Sequence, residues 1–185
     1  MIGVLTYNVP HKKTQATLFL LKALGYADIF VYAINQHYVK KFHSLIEYRP
    51  SLSAVTSSIG IEELCKNLGF RYFFSKNGYN DLHDIFSTDS PILVCGTGII
   101  PDDVVHQYKF INSHPGYIPL RGLDALKWAI YKKLPVGVTT HLISSQGVDM
   151  GYIIERKLVF VHENDTFHSL TQRSFDMEID IAIPI

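Results

Sequence analysis

Two runs of this chain, Ile29-Phe-Val-Tyr-Ala33 and Pro91-Ile-Leu-Val-Cys95, offer no polar position for a solvent-facing side. Side chains on a strand alternate between faces, so a strand apolar throughout must be covered on both sides. Inner strands of parallel sheets meet that condition, because their crossover helices lie on both faces of the sheet. The rest of the chain supplies the alternation this requires. Ile2 to Thr6 reads as a short buried strand. Asn8-Val-Pro10 reads as a helix start, with Asn8 as N-cap and Pro10 in the first turn. Leu18, Leu21, Ala23 and Leu24 have helical spacing, and Gly25 is the stop.

A second strand spans Asp28 to Ile34, and the segment up to about Ser53 has no regular pattern. Then follow a helix over Ile61 to Leu68 closed by Gly69, a strand over Arg71 to Phe74 and a short helix over Asp81 to Phe86. Pro91 to Cys95 is a strand running into Gly96-Thr97-Gly98. Phe110 to Asn112 is a strand, Asp124 to Lys132 a helix, and Val136 to Ile143 a strand. Tyr152 to Phe160 is a late strand and Asp165 to Ile181 a closing helix. The expected fold is α/β: an open, mostly parallel, Rossmann-like sheet flanked by helices, in a single domain over residues 1–185.

With 47% hydrophobic residues in 185, the chain can bury a substantial core. Seventeen basic residues cancel seventeen acidic ones, which gives no electrostatic case for a nucleic-acid partner. The pairs Lys12-Lys13, Lys40-Lys41 and Lys132-Lys133 read as solvated surface. Met1-Ile-Gly-Val-Leu5 lacks the basic region of a signal peptide, and no apolar run approaches a membrane span. Cys65 and Cys95 read as buried free thiols. A cytoplasmic protein without a membrane or nucleic-acid partner is expected.

The polar residues around Asn112 carry the chemistry. Asn112 and His114 are two apart and share one face of an extended segment. Asp149 arrives later, on a loop leaving another apolar run. An amide donor, an imidazole and a carboxylate can together handle the tetrahedral intermediate of acyl transfer. Each also has a plainer reading. Asn112-x-His114 could be a polar strand end, Asp149 a turn residue between Gly147 and Gly151, and His141 a structural histidine in its strand. Gly96-Thr97-Gly98 could be a tight turn before a helix, or could let a ligand approach the backbone. Nine histidines include no His-x-x-x-His pair, and the two cysteines form no Cys-x-x-Cys, so no metal site is expected.

Asn112-x-His114-Pro115, Leu120-Arg121-Gly122, Trp128-Ala-Ile130, Gly137-Val-Thr139 and Asp149-x-Gly151-x-Ile-Ile154 occur in that order. This series resembles the folate-dependent formyltransferase family, which includes glycinamide ribonucleotide, methionyl-tRNA and sugar N-formyltransferases. The likeness is dense from Ile92 to Ile154 and only one of layout before Ser75. It implies that Asn112, His114 and Asp149 match the family's catalytic triad. It implies a folate pocket made by Leu93, the Gly96-Thr97-Gly98 loop, Ile99, Val148 and Gly151. His141 would lie near the substrate, and the Tyr117 to Arg121 loop would border the site.

The acceptor is read from departures. No glycine occurs between Gly3 and Gly25, unlike the phosphate-cradling turn of the glycinamide ribonucleotide branch. The zero charge does not match the basic domain of the tRNA branch. Asn8, His11 and Lys12 are therefore candidates for a nucleotide-linked acceptor. The implied reaction carries a formyl group from N10-formyltetrahydrofolate, as co-substrate, to a primary amine, with a nucleotide-linked amino sugar preferred. Glycinamide ribonucleotide formylation, formyltetrahydrofolate hydrolysis and a non-catalytic binding module are the alternatives. Homodimerisation is an accompanying expectation.

Overall fold

The computed structural model describes residues 1–35, 59–144 and 147–183. The patternless segment up to Ser53, the Lys40-Lys41 pair and the last two residues of the chain lie outside the described residues. Seven strands form one sheet: β1 (Ile2–Tyr7), β2 (Ile29–Ile34), β3 (Arg71–Ser75), β4 (Pro91–Val94), β5 (Lys109–His114), β6 (Gly137–Ile143) and β7 (Gly151–Leu158). Their order is β3-β2-β1-β4-β5-β6-β7. β1 runs parallel to β2 and β4, and β2 parallel to β3, whereas β6 and β7 are antiparallel. The expected α/β class and mostly parallel sheet are therefore present. The reversal at β7 follows from its connection, which is too short for a crossover helix.

The described residues gather into two compact units, residues 1–35 with 59–111, and residues 112–144 with 147–183. In the first, Val4, Leu5, Val31, Tyr32, Ala33 and Ile92 have no solvent exposure, as their unbroken apolar runs require. Helix α1 (Lys12–Ala23) buries Leu18 and Leu21. It begins later than expected, with His11 rather than Asn8 as its N-cap and Pro10 outside it. Asn8 follows directly on β1: its N–H donates to the Ile34 carbonyl (2.9 Å), and its Oδ1 accepts from the Tyr72 hydroxyl (2.5 Å).

Gly25 ends α1 as expected. With φ 83°, it lets its own N–H reach the Lys22 carbonyl and the Tyr26 N–H reach the Leu21 carbonyl. Helix α2 (Ile61–Leu68) matches its expected bounds, and Gly69 closes it in the left-handed conformation. The helix expected over Asp81 to Phe86 shrinks to a 3-10 turn over Leu82–Asp84. The Asp81 carboxylate is held by Ser75 Oγ (2.6 Å) and Asn77 Nδ2 (3.1 Å) instead of capping a longer helix. Helix α3 (Asp102–Val105) is a single turn, too short for periodicity to reveal.

In the second unit, helices α4 (Ala125–Tyr131) and α5 (Phe167–Asp180) pack with β6. Ala129, Val136, Val138, Val159, Leu170 and Ile181 form the core. A capping box starts α5: Thr166 Oγ1 accepts from the Ser169 N–H (3.1 Å), and Ser169 Oγ accepts from the Thr166 N–H (3.0 Å). Ser113 Oγ and Thr140 Oγ1 donate to the α5-side carbonyls of Glu178 (2.8 Å) and Ile181 (2.7 Å). Those side chains thus define the face covered by α5. Their neighbours Asn112, His114, Thr139 and His141 project from the other face. β5 extends two residues past its expected end, so both Asn112 and His114 are strand residues.

Candidate active site

Asn112, His114, His141 and Asp149 converge on the face of the second unit opposite α5. His114 is 4% exposed, and each of its ring nitrogens faces an oxygen acceptor. Nδ1 lies 3.3 Å from Asp149 Oδ2, and Nε2 lies 3.2 Å from the Leu120 carbonyl. An imidazolium, with two N–H donors, satisfies both; a neutral ring satisfies one. A Cβ on Gly116 would fall 2.3 Å from His114 Nε2, so the bare backbone of Gly116 is what lets the ring lie there.

Asp149 is the hub. Its Oδ2 accepts from the Gly122 N–H (2.9 Å), and its Oδ1 accepts from Asn112 Nδ2 (3.4 Å). Its backbone has φ 51°, left-handed for a residue with a side chain, inside a turn closed by Met150 N–H to the Gly147 carbonyl. The Asp149 carbonyl accepts from Arg121 Nε at 3.1 Å. His141 is 1% exposed, and its Nε2 lies 3.4 Å from Asn112 Nδ2 and 3.9 Å from Asp149 Oδ1. Burial pushes its pKa below the usual histidine value; the Asp149 charge opposes that and His114 adds to it. A neutral ring there leaves Nε2 able to accept from the amide.

The loop between β5 and α4 is pinned to this face. Thr139 Oγ1 donates to the Gly116 carbonyl (2.8 Å) and accepts from the Ile118 N–H (3.1 Å). Arg156 Nη1 donates to the Ile118 carbonyl (3.0 Å), and its guanidinium lies 5.0 Å over the Tyr117 ring. Sequence reasoning gave no role to Gly116 or Arg156, and it read Gly122 and Thr139 only as members of the Leu120-Arg121-Gly122 and Gly137-Val-Thr139 motifs, without their part in supporting the site. Gly151 has a backbone reason to be glycine: φ is 134°, and a Cβ would fall 1.8 Å from the Leu142 carbonyl oxygen.

The remaining candidates lie in the first unit, apart from Val148, which is 59% exposed beside Asp149. Gly96 follows β4, where its N–H and that of Cys95 both reach the Leu5 carbonyl. A Cβ there would fall 2.8 Å from the Tyr7 ring and 3.2 Å from the His11 ring. Thr97 shares a hydrogen bond with the Tyr79 hydroxyl, a partner the sequence did not suggest. His11 Nδ1 lies 2.9 Å from Thr14 Oγ1, and Lys12 opens α1. Leu93 is buried, whereas Gly98 and Ile99 are exposed. Elsewhere in the second unit, Asp124, Lys127, Trp128 and Tyr131 line an open depression on α4. Among the described residues no three His, Cys, Asp or Glu side chains gather as a metal site. Nor is any described helix long and apolar enough to cross a membrane.

The sequence profile of the formyl transferase family matches residues 74–184, more than half of the chain, and the protein belongs to that family. Over 84 residues it is 34% identical to a phosphoribosylglycinamide formyltransferase of Bacillus subtilis (strain 168). That stretch covers 43% of each chain, so the likeness spans less than half of the relative's length. Its fold is similar to glycinamide ribonucleotide transformylase 1 from Geobacillus kaustophilus, with a TM-score of 0.66 at 16% identity, over 97% of this chain and 93% of that one. It is also similar to the formyltransferase PseJ from Anoxybacillus kamchatkensis, solved in complex with UDP-4,6-dideoxy-4-formamido-L-AltNAc and tetrahydrofolate. There the TM-score is 0.51 at 26% identity, over 63% of each chain.

Proposed function

We propose that this protein, acting as a single catalytic domain, transfers a formyl group from N10-formyltetrahydrofolate to the primary amine of a nucleotide-linked amino sugar. The observation that carries the reading is the convergence of Asn112, His114 and Asp149 in a chain of the formyl transferase family. The neutral amine attacks the formyl carbon and a tetrahedral oxyanion forms. Asn112 Nδ2 stabilises that oxyanion, and the Nε2–H of His114 joins it by exchanging the Leu120 carbonyl, 3.2 Å away, for the developing charge. At 3.4 Å, the two contacts of Asn112 Nδ2 are at the weak end of hydrogen bonding and are readily exchanged for a developing charge. Asp149 orients His114, supports its charge and assists removal of the proton from the attacking amine. The bond from carbon to the folate nitrogen then breaks, a proton reaches that nitrogen, and tetrahydrofolate leaves. Losing one oxyanion donor of this kind costs about 100- to 1000-fold in kcat.

Leu93, Gly96, Thr97, Gly98, Ile99, Val148 and Gly151 are our assignment for the folate, and Asn8, His11, Lys12 and His141 for the acceptor. The sugar nucleotide is favoured by the lack of glycine between Gly3 and Gly25 and by the sugar nucleotide held in the similar PseJ structure. A second reading, glycinamide ribonucleotide as acceptor, is favoured by the name of the 34% identical Bacillus relative.

The test incubates the protein with N10-formyltetrahydrofolate and a panel of nucleotide-linked amino sugars and glycinamide ribonucleotide, followed by mass spectrometry. A formylated sugar nucleotide supports the first reading, and formylated glycinamide ribonucleotide the second. Formate released without any amine would overturn both in favour of hydrolysis.

A further inference from the structure

Asp149 stands in the left-handed backbone region, which few residues with a side chain adopt. Glycine adopts φ 51° freely, and residues with a side chain do so less readily. Such a residue persists only where its surroundings over-determine it. The side chain is held by Gly122 N–H and Asn112 Nδ2 and lies against His114. The backbone has a separate tie: Arg121 Nε donates to the Asp149 carbonyl at 3.1 Å. Arg121 and Gly122 are adjacent, so one short segment grips the same residue through both carbonyl and carboxylate. The guanidinium is exposed and uses only its Nε in this bond. That is a position-setting contact rather than an ion pair with the carboxylate.

We propose that Arg121 is a positioning residue, which holds the Asp149 turn so that the carboxylate meets His114 and Asn112. The proposal rests on the formyl-transfer reading for its kinetic consequence, though its structural consequence does not. Rotation about the Asp149 backbone would carry the carboxylate away from His114 Nδ1, since 3.3 Å leaves little slack for a hydrogen bond. A misplacement of about 1 Å in such a group can cost about 100-fold in rate.

The test uses two substitutions that separate geometry from charge. In Arg121→Gln the side-chain amide nitrogen sits the same number of bonds from the backbone as the arginine Nε, so the N–H to the Asp149 carbonyl can be kept while the charge is lost. Arg121→Met loses both. The expected result is that Arg121→Met lowers kcat by about tenfold or more with little change in the KM of the amine, while Arg121→Gln stays near wild type. Arg121→Met should add no further loss in an Asp149→Asn background, because both changes act through one group. If Met and Gln lose activity equally with a raised KM, the charge serves the acceptor and the proposal falls. It also falls if neither loses activity.

A second readout is independent of turnover. Imidazole nitrogen NMR signals of His114 should shift in Arg121→Met and remain near wild type in Arg121→Gln. Unmoved His114 signals in Arg121→Met would overturn the proposal. Moved signals in a protein that formylates no amine would leave it standing and sink the functional reading alone.

Discussion

At the scale of single residues, Asp149 pits stability against chemistry. Its carboxylate collects an amide, a backbone N–H and an imidazole, while its backbone is held at φ 51°. Asparagine tolerates that conformation better than most residues and keeps the side-chain shape. Asp149→Asn is therefore expected to melt within a few degrees of wild type while losing about 100-fold or more in formylation, measured by calorimetry alongside the mass-spectrometric assay. A fall in activity matched by a collapse in melting temperature would mean the carboxylate serves the fold. Gly116 gives the converse case, since it touches no substrate in the proposed mechanism. A methyl group there would fall 2.3 Å from His114 Nε2 and 2.7 Å from Ala125 Cβ. Gly116→Ala should displace the imidazole and lower kcat by about tenfold or more. Unchanged His114 signals and unchanged turnover would show that the ring yields freely.

At the scale of elements, end signals were the most legible part of the sequence where glycine supplied them. Gly25 and Gly69 close α1 and α2 as expected, because each adopts a positive φ that side chains resist. Gly25→Ala should cost about 1 kcal/mol in chemical denaturation, through the backbone alone, because beyond its chain neighbours the new methyl meets nothing within 4 Å. No change in stability would mean the cap relaxes without cost. Asn8 was misread for a tertiary reason. It has the composition of an N-cap, but Tyr72, distant in sequence, takes its side chain, and Ile34 takes its N–H. The helix expected from Asp81 to Phe86 is shorter for a local reason, because Ser75 and Asn77 hold the Asp81 carboxylate.

At the scale of the whole molecule, burial of His141 links the site to global stability. Its pKa is lowered in the folded protein, so the unfolded chain binds the extra proton first as pH falls. The stability it contributes is present above the unfolded histidine value of about 6.5 and is lost as pH drops from there through the lower folded value. Denaturation at a series of pH values should show stability falling below about pH 6.5, with a shallower fall in His141→Gln. Identical slopes in the two proteins would place the acid sensitivity elsewhere.

Local pattern determined the class of fold and the glycine stops of α1 and α2. Unbroken apolar runs allow only strands covered on both faces, and Asn112 and His114 share a face wherever the backbone is extended. Tertiary structure alone decided how those residues meet. The tie from Arg121 to Asp149 spans 28 residues of chain and the Thr139 anchor on Gly116 spans 23, and no periodicity encodes either. Spacing records which face a side chain takes on its own element. Only packing fixes what lies across from it.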